Sequence, residues 1–268
     1  MKIGVLGNIQ KEVIANTIDE FIAFFQDLGY ETVKFLKPTE IRNVDVVVVL
    51  GGDGAILHTS VLAAKKEVKI IGVNYGNVGF LTEFEKDERE ELAQLLQDVE
   101  NGTNRVIKRS LLQLNISGKS FYALNEVAIQ RDYGFLRPDA TQILKLQVDT
   151  PEGQNIIAGD GALFCTPTGS TAYSLSAGGA ILTPEVPVVM MTPICAFSTR
   201  VRPTVFSDNT CFSVKSLKGK AILQIDGRTV TALPEGAEIT IEKAPFTADF
   251  PVRENSDFFA RVKNKLNG

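Results

Sequence analysis

Four consecutive valines at positions 46–49 lead, through Leu50, into the turn Gly-Gly-Asp-Gly at 51–54. An unbroken run of β-branched residues is typical of a strand buried on both faces, as central strands of a parallel sheet are when helices cover them. A helical stretch follows the turn, which places 51–54 at the carboxyl end of that strand. Open α/β sheets bind their ligands at such ends. This junction therefore predicts a parallel sheet with a ligand site at its edge.

The surrounding hundred residues alternate apolar runs with amphipathic stretches. This rhythm predicts an N-terminal α/β domain over residues 1–101, built on an open parallel sheet. Its predicted strands are 2–6, 31–35, 45–50 and 69–73, and its predicted helices are 12–28, 55–65 and 85–100.

After residue 102 the pattern changes to short, partly alternating segments separated by Gly, Pro, Asp and Asn. Such segments predict a β-rich, largely antiparallel second domain over 102–245. The C-terminal segment, residues 246–268, is richer in aromatics and contains a basic stretch at 261–265. We expect that stretch to be helical and the segment to pack back on the first domain.

Composition excludes several classes of protein. The formal net charge of −4 over 268 residues leaves no basic stripe for a nucleic acid. No apolar run approaches the roughly 20 residues of a membrane span, and the N-terminus lacks a secretory signal. We therefore expect a cytoplasmic protein without a membrane partner. The odd number of cysteines, Cys165, Cys195 and Cys211, at wide spacings predicts buried thiols rather than disulfides or a metal site.

Asp53 is the unusual member of the 51–54 turn. Glycines let a backbone approach a phosphate closely, and the N-terminus of the following helix favours an anion. A carboxylate in that setting would repel the phosphate, unless it holds a metal ion or takes a proton from an attacking hydroxyl. The alternative is a tight turn with a helix-capping aspartate. The strand-to-helix context favours the functional interpretation.

Two further segments carry polar groups suited to a nucleoside. Asn125 offers both a donor and an acceptor to a base edge, and the Glu126 carboxylate can accept from both hydroxyls of a ribose. A hydrogen-bonded Asn beside a solvated Glu is the alternative. The stretch from Gly159-Asp160-Gly161 to Ser176 is dense in hydroxyls without charge, and apolar flanks predict that it is buried. Its small hydroxyl residues are Thr166, Thr168, Ser170, Thr171, Ser174 and Ser176.

Three other features do not indicate a site. Ser-Gly-Lys-Ser at 117–120 lacks the earlier glycine of a phosphate-binding P-loop, since Gln113 stands there. No G-x-G-x-x-G follows the first strand. The lone His58, one turn into the predicted helix, is more typical of a helix surface than of a catalyst.

Taken together, the motifs resemble those of the NAD kinase family. They are GGDG at 51–54, GNVGFLTEF at 76–84, Asn125-Glu126, GDG…TPTGSTAYSLSAGG at 159–179 and Asp226-Gly227, in the family's order. The long Thr/Gly/Ser motif is specific to that family. GGDG alone also occurs in diacylglycerol and sphingosine kinases and in phosphofructokinases.

The resemblance implies transfer of the γ-phosphoryl group of ATP, or of polyphosphate, to the 2′-hydroxyl of the adenosine ribose of NAD, giving NADP. It implies Asp53 as proton acceptor, Mg²⁺ arriving with ATP, and a homodimer or homotetramer. The residues expected to bind the nucleotides are Gly51, Gly52, Gly54, Phe80, Asn125, Glu126, Asp160, Thr168, Thr171, Ala172, Tyr173, Ser174, Leu175 and Ser176.

Three positions depart from the family pattern. Ala158 stands where many members have Arg, which leaves the preference between NAD and NADH open. Arg228 replaces a common Gln, which leaves the edge of the nucleotide pocket open. Ala55 replaces a common Thr near the phosphates, which leaves the phosphoryl donor open. The alternative functions are a lipid or sugar kinase that shares the GGDG turn, and a non-catalytic dinucleotide-binding regulator.

Overall fold

The computed structural model describes residues 1–7, 12–76, 79–132, 134 and 143–266, without the side chains of 12–15. The chain forms two compact units, one of residues 1–109 with 246–268 and the other of residues 110–245. The C-terminal segment therefore belongs to the unit that holds the N-terminus, which confirms its predicted return. The functional division that we predict at residue 102 stays a prediction.

In the described part of the first unit, a five-stranded parallel sheet has the order β2-β1-β3-β4-β5. Its strands are β1 (Lys2–Gly7), β2 (Glu31–Phe35), β3 (Val46–Gly51), β4 (Lys69–Asn74) and β5 (Phe84–Glu85). The helices α1 (Glu12–Asp27) and α2 (Asp53–Ala64) lie between these strands in the chain, and α3 (Arg89–Asn101) follows β5. A 3-10 turn lies at Pro38–Glu40.

Strand β3 is the centre of this sheet, and all six of its residues are buried. Apolar side chains of α1 and α3 share one core with β1, β3 and β4. Leu50 pairs with Gly7 of β1 and Val73 of β4, so the carboxyl ends of three strands lie side by side. The 51–54 turn leaves the sheet at that edge, as the valine run predicts.

The other described strands form two six-stranded antiparallel sheets, which lie mainly in the second unit. Their orders are β10-β9-β14-β17-β6-β7 and β13-β12-β11-β8-β15-β16. The strands are β6 (Arg105–Ile116), β7 (Lys119–Ala123), β8 (Glu126–Arg131), β9 (Leu144–Thr150), β10 (Gly153–Gly159), β11 (Gly161–Cys165), β12 (Val188–Ile194), β13 (Thr204–Ser207), β14 (Phe212–Lys218), β15 (Ala221–Ile225), β16 (Arg228–Leu233) and β17 (Glu238–Val252). A 3-10 turn at Thr168–Thr171 and the short helix α4 (Tyr173–Ser176) follow β11.

The last helix, α5 (Phe258–Leu266), contains the basic stretch that we expected to be helical. The predicted helix over 85–100 begins later, at Arg89, because Phe84 and Glu85 pair with the edge of β4 as a short strand. Among helices in the described residues, none has the length and apolar character needed to cross a membrane.

The prediction of three buried thiols is wrong for two of them. Cys165 is buried in the centre of its sheet, whereas Cys195 and Cys211 are exposed, and all three are free. Cys195 follows the last residue of β12 and has a positive φ of 44°, and Cys211 immediately precedes β14. Both cysteines therefore lie in connections rather than in strands, which is why they are exposed to solvent.

Candidate active site

Asp53 is the first residue of α2, but its side chain does not cap that helix. The N-cap position is Gly52. The carboxylate instead accepts hydrogen bonds from the backbone N–H groups of Phe80, to Oδ2, and Leu81, to Oδ1, each at 2.9 Å. The helix-cap alternative is therefore wrong. One N–H bond on each oxygen fixes the plane of the carboxylate at the carboxyl end of β3.

Gly79 allows this close approach. A Cβ atom at Gly79 would lie 2.2 Å from Asp53 Oδ1 and 3.0 Å from Thr82 Oγ1, so no larger residue fits without displacing the carboxylate. A Cβ atom at Gly52 or Gly54 would meet no described atom within 4 Å. The turn is thus tightly packed on the side of residues 79–82 and open around its own glycines.

A cavity of about 380 Å³ lies beside the turn, at the carboxyl ends of β1 and β3. Its walls are mainly apolar with a few polar groups, as is usual for pockets that take small organic ligands. His58 contributes to the wall from an exposed position on α2, in keeping with the surface role expected of it. The lining residues are Leu6, Gly7, Leu36, Pro38, Val49, Gly54, Ala55, His58 and Thr59.

Lys265 of α5 also reaches Asp53. Its Nζ lies 3.0 Å from Asp53 Oδ2 and 4.3 Å from the centroid of the Phe80 ring. Phe80, which the motif analysis singled out, therefore packs against the cation that pairs with the carboxylate. Lys265 could not be found from the sequence, because a basic residue in a C-terminal helix has no motif that assigns it to a turn 212 residues earlier.

The C-terminal segment is attached to the same unit through Glu83, which is buried. Glu83 Oε1 accepts from the backbone N–H of Arg253 at 3.1 Å, and Oε2 accepts from Arg261 at 2.7 Å and from Ser256 at 3.0 Å. Arg261 also donates to the carbonyl of Thr82 at 2.9 Å. Two arginines thus hold α5 against the segment that carries the N–H groups on Asp53.

In the second unit, the Asn125-Glu126 pair lies at the start of β8 and is held by Asp226. The Asp226 carboxylate accepts from the backbone N–H groups of Leu124 at 3.0 Å, Asn125 at 2.8 Å and Glu126 at 3.2 Å. Asp226 itself has a positive φ of 49°. In the sequence, Asp226 is visible only as part of a motif and not as the anchor of this turn.

Glu126 is only 4% exposed, and its Oε2 has no hydrogen-bond partner in the described part of the chain. Burial, and then the neighbouring charge of Asp226, raise the pKa of Glu126 to about 7. Burial also raises the pKa of Asp226, to about 6, against the opposing effect of its three backbone bonds. The alternative of a solvated glutamate is therefore wrong. Because buried polar atoms are usually hydrogen-bonded, this oxygen is a candidate acceptor for a ligand hydroxyl.

The hydroxyl loop, residues 166–176, packs directly on this turn. Cys165 at the end of β11 pairs with Glu126, and Thr166 donates to the carbonyls of Asn125, through N–H at 2.9 Å, and Leu124, through Oγ1 at 2.5 Å. A Cβ atom at Gly169 would lie 2.1 Å from the Asn125 carbonyl oxygen, so glycine is required there. Two motifs about forty residues apart thus form one surface.

Several hydroxyls of the loop bond to the protein itself. Ser170 Oγ donates to the Pro167 carbonyl at 2.6 Å and accepts from the Leu182 N–H at 3.0 Å. The hydroxyls of Ser174 and Thr192 share a bond of 2.8 Å. These groups shape the loop. Among the expected binding residues of the loop, Thr168 and Ser174 are buried, Thr171, Ala172, Tyr173 and Leu175 are half-buried, and Ser176 is exposed.

Asp160 lies near the opposite end of β8 from Glu126. It forms an ion pair with Arg131 at 3.0 Å, and its carbonyl accepts from the Arg131 N–H at 2.8 Å. Tyr173 is close to the same end, since its hydroxyl accepts from Gln130 Nε2. At about 3.4 Å per residue, Glu126 and Arg131 are roughly 17 Å apart. The expected binding residues of this unit therefore follow the length of one strand.

Comparison with known families matches both units. Residues 4–103 match the ATP-NAD kinase N-terminal domain, and residues 124–251 match the ATP-NAD kinase C-terminal domain. The chain belongs to the NAD kinase family. Its activity is that of an NAD kinase, a phosphotransferase. Both motif groups, around Asp53 and around Glu126, lie inside the matched ranges, whereas Lys265 lies beyond them.

Relatives match over nearly the whole chain. The NAD kinase of Methanothermobacter thermautotrophicus is 36% identical over 99% of this chain and 96% of its own length. That of Clostridium botulinum (strain Loch Maree / Type A3) is 31% identical over the same shares.

Two solved structures are also similar. An Archaeoglobus fulgidus NAD kinase in complex with ATP has a TM-score of 0.78 and 26% identity, covering 100% of this chain and 99% of that one. A yeast NADH kinase complexed with NADH has a TM-score of 0.85 over 100% of this chain and 87% of that one, and at 21% identity it supports the fold alone.

Proposed function

We propose that this NAD kinase transfers the γ-phosphoryl group of ATP to the 2′-hydroxyl of the adenosine ribose of NAD, with Asp53 accepting the hydroxyl proton. The observation that carries the proposal is the fixed Asp53 carboxylate. Two backbone N–H groups orient it at the carboxyl end of a buried strand, beside a glycine turn with open space around it.

The chemistry needs such a group because a ribose hydroxyl is a poor nucleophile at neutral pH. As the bond from its oxygen to phosphorus forms, the bond from phosphorus to the leaving ADP oxygen breaks and the proton passes to Asp53. The N-terminus of α2 and the backbone at Gly52 and Gly54 would face the donor phosphates, where N–H groups and the helix dipole favour negative charge.

For the dinucleotide we propose the surface formed by Asn125, Glu126 and the hydroxyl loop. Glu126 Oε2, buried without a partner among the described residues, would accept from a ribose hydroxyl, and the Asn125 amide would contact a base edge. Asp160 and Tyr173, farther along β8, would contact the distant part of NAD. The same surface would accept NADH. A comparison of kcat/KM for NAD and for NADH measures which substrate the enzyme prefers.

ATP is the donor that we propose, because the cavity next to Gly54 and Ala55 has the volume and apolar walls to take a nucleoside. A polyphosphate chain has no nucleoside that could fill this cavity. In the described residues no group of three or more His, Cys, Asp or Glu could hold a metal ion. The Mg²⁺ of the donor would be held mainly by phosphate oxygens and water and would neutralise charge on the phosphates.

Assembly and location are also proposals. We infer a homodimer or homotetramer, which size-exclusion chromatography with light scattering measures, and a cytoplasmic location, which fractionation of cells measures.

The test of the function is Asp53→Asn. The variant should fold and bind NAD normally, since asparagine keeps the shape, but it cannot take the proton. General-base assistance is worth about 10² to 10⁴-fold, so kcat should fall at least a hundredfold while the calorimetric affinity for NAD is kept. Asp87→Asn, at an exposed site on the same unit, is the control.

Retention of more than about a tenth of wild-type kcat at saturating substrates would remove Asp53 from the role of base. Recovery of the rate by excess Mg²⁺ or Mn²⁺ would assign it to the metal instead. Phosphorylation of a lipid rather than NAD, seen by thin-layer chromatography, would favour the lipid kinase alternative, and NAD binding without turnover in the wild type would favour a regulator.

A further inference from the structure

The ammonium group of Lys265 lies on the carboxylate that we propose as the base. Its Nζ is 3.0 Å from Asp53 Oδ2 and stacks at 4.3 Å over the ring of Phe80. We propose that Lys265 is a catalytic residue that binds the transferring phosphoryl group through its remaining N–H groups. The proposal rests on the proposed function, since it takes Asp53 as the centre of the reaction.

Counting donors and acceptors shows that Lys265 can act without leaving Asp53. A carboxylate has about four lone-pair positions, and Asp53 uses three, for Phe80, Leu81 and Lys265. The fourth, on Oδ1, is left for the attacking hydroxyl. An ammonium has three N–H donors, and Lys265 uses one on Asp53. Two donors remain for an anion next to the base, which is where the phosphoryl group must lie during transfer.

Charge explains why a cation is needed at this place. Asp53 carries a negative charge next to the position of a polyanionic donor, and the two repel each other. Among the described residues, Lys265 is the cationic side chain that pairs with Asp53. Phosphoryl transfer depends mainly on positioning and on stabilisation of the phosphoryl oxygens by cations, a role that a lysine commonly performs.

The surrounding structure holds Lys265 in place. No described residue of α5 is buried, so packing alone does not fix this helix. Arg253 and Arg261 attach it to the buried Glu83, and Arg261 donates to the Thr82 carbonyl, next to the Leu81 N–H on Asp53. The same segment therefore orients both the base and the cation, which is the arrangement expected of two groups acting on one substrate.

In the proposed step Lys265 keeps its proton. The 2′-oxygen of the ribose forms a bond to the γ-phosphorus, the bond from that phosphorus to the bridging oxygen breaks, and ADP leaves with the electron pair. The hydroxyl proton goes to Asp53 Oδ1. Lys265 donates two hydrogen bonds to phosphoryl oxygens and stays bonded to Oδ2 throughout.

The test compares Lys265→Met, Lys265→Arg and the control Lys263→Met on the exposed side of the same helix. Methionine keeps an apolar stem over Phe80 but loses the charge. With ATP, Mg²⁺ and NAD, Lys265→Met should lower kcat about ten- to a hundredfold, the value of one or two charge-assisted hydrogen bonds, with an unchanged KM for NAD. Lys265→Arg should recover most of the loss, and Lys263→Met should match the wild type.

Wild-type kcat in a folded Lys265→Met variant would overturn the proposal while leaving that of Asp53 intact, provided Asp53→Asn remains inactive. An increased kcat would also overturn it, because the contact would then be inhibitory. An equal loss in Lys265→Arg and Lys265→Met, or a raised KM for NAD with unchanged kcat, would assign Lys265 to structure. Thermal melting and calorimetric NAD binding identify any variant that fails to fold.

Discussion

At the scale of single residues, the surface that we propose for the dinucleotide contains a carboxylate whose burial destabilises the folded protein when it is charged. Glu126 is buried beside Asp226, with one oxygen unpaired in the described chain. A raised folded-state pKa means that the folded protein binds a proton that the unfolded chain releases. The contribution of Glu126 to stability is therefore favourable near its ordinary pKa of 4.5 and is lost as the pH rises through about 7.

Glu126→Gln should remove this pH dependence. Glutamine is neutral at all pH values, so the free energy of unfolding should match the wild type near pH 4.5 and exceed it by roughly 1 to 3 kcal/mol at pH 8. Urea unfolding at both pH values measures the difference. Glu152→Gln, at an exposed carboxylate, is the control. A variant less stable than the wild type at pH 8 would contradict the assignment of a buried, unpaired charge.

The same carboxylate should make NAD binding depend on pH. The ionised form accepts two hydroxyl donors and the protonated form accepts fewer, so affinity for NAD should rise between pH 6 and 8 in the wild type. Isothermal calorimetry should show no such rise in Glu126→Gln, and an affinity lower by about tenfold or more at pH 8. A parallel rise in both proteins would place the titrating group elsewhere.

Gly79→Ala should impair catalysis by displacing Asp53. The added methyl group would meet Asp53 Oδ1 and Thr82 Oγ1, and overpacking of this kind costs about 1 to 3 kcal/mol. We expect a drop in kcat together with a lower unfolding midpoint in urea. Gly76→Ala, where the nearest atom is the Asn74 Oδ1 at 3.9 Å, should leave both unchanged. A fully active Gly79→Ala variant would show that the carboxylate is not held as tightly as the geometry implies.

At this scale the sequence revealed Asp53 and Glu126 but not their partners. The 51–54 turn and the Asn125-Glu126 pair are local patterns. A local pattern predicts the strand or turn in which it lies, but not the distant residues that contact it. Lys265 reaches Asp53 across 212 residues and Asp226 reaches Asn125 across 101. Contacts between residues so far apart in the chain produce no periodic pattern in the sequence. That Glu126 is buried could have been inferred from the apolar Val127–Ile129 that follows it.

At the scale of elements, α5 depends on ion pairs more than on packing. Arg253 and Arg261 attach the helix to Glu83 within one unit. Breaking such a partly buried network lowers the free energy of unfolding more than losing exposed ion pairs does. The predicted strands and helices of the α/β unit lie close to the observed ones, because apolar runs mark the strands, amphipathic stretches mark α1 and α3, and the glycine turn at 51–54 marks the start of α2. The short strand β5 was missed, since two residues are too few to show any period.

Glu83→Gln should loosen α5. The neutral amide leaves Arg253 and Arg261 without their shared charge, so backbone amides of Phe258–Leu266 should exchange with deuterium about ten- to a hundredfold faster, which mass spectrometry resolves. Turnover should fall as well, through Lys265. Asp87→Asn is the exposed control. Unchanged exchange in α5 would show that other contacts hold the helix.

At the scale of the molecule, the two units carry different parts of the proposed reaction. Residues around Asp53 belong to the first unit and those around Glu126 to the second. The sequence predicts that partition from its change of texture near residue 102, and the family match covers both ranges. The return of residues 246–268 to the first unit, expected from the aromatic and basic character of that segment, is observed as well.

Truncation after Val252 should separate turnover from NAD binding. The deletion removes Arg253, Arg261 and Lys265 from the first unit and leaves the proposed dinucleotide surface untouched. Because every residue proposed for the dinucleotide surface precedes the deleted segment in the chain, calorimetric affinity for NAD should stay within about twofold, while kcat falls at least tenfold. Full-length Lys265→Met provides the comparison. Loss of NAD binding in a folded truncated chain would contradict the division.

The anchoring of the Asn125-Glu126 turn by Asp226 also affects how the protein is synthesised. The three N–H groups of the turn have no acceptor on Asp226 until the ribosome has added about a hundred more residues. At 5 to 20 residues per second this takes roughly 5 to 20 s. During that interval the proposed dinucleotide surface cannot be complete, and a nascent chain stalled before residue 226 should not bind NAD.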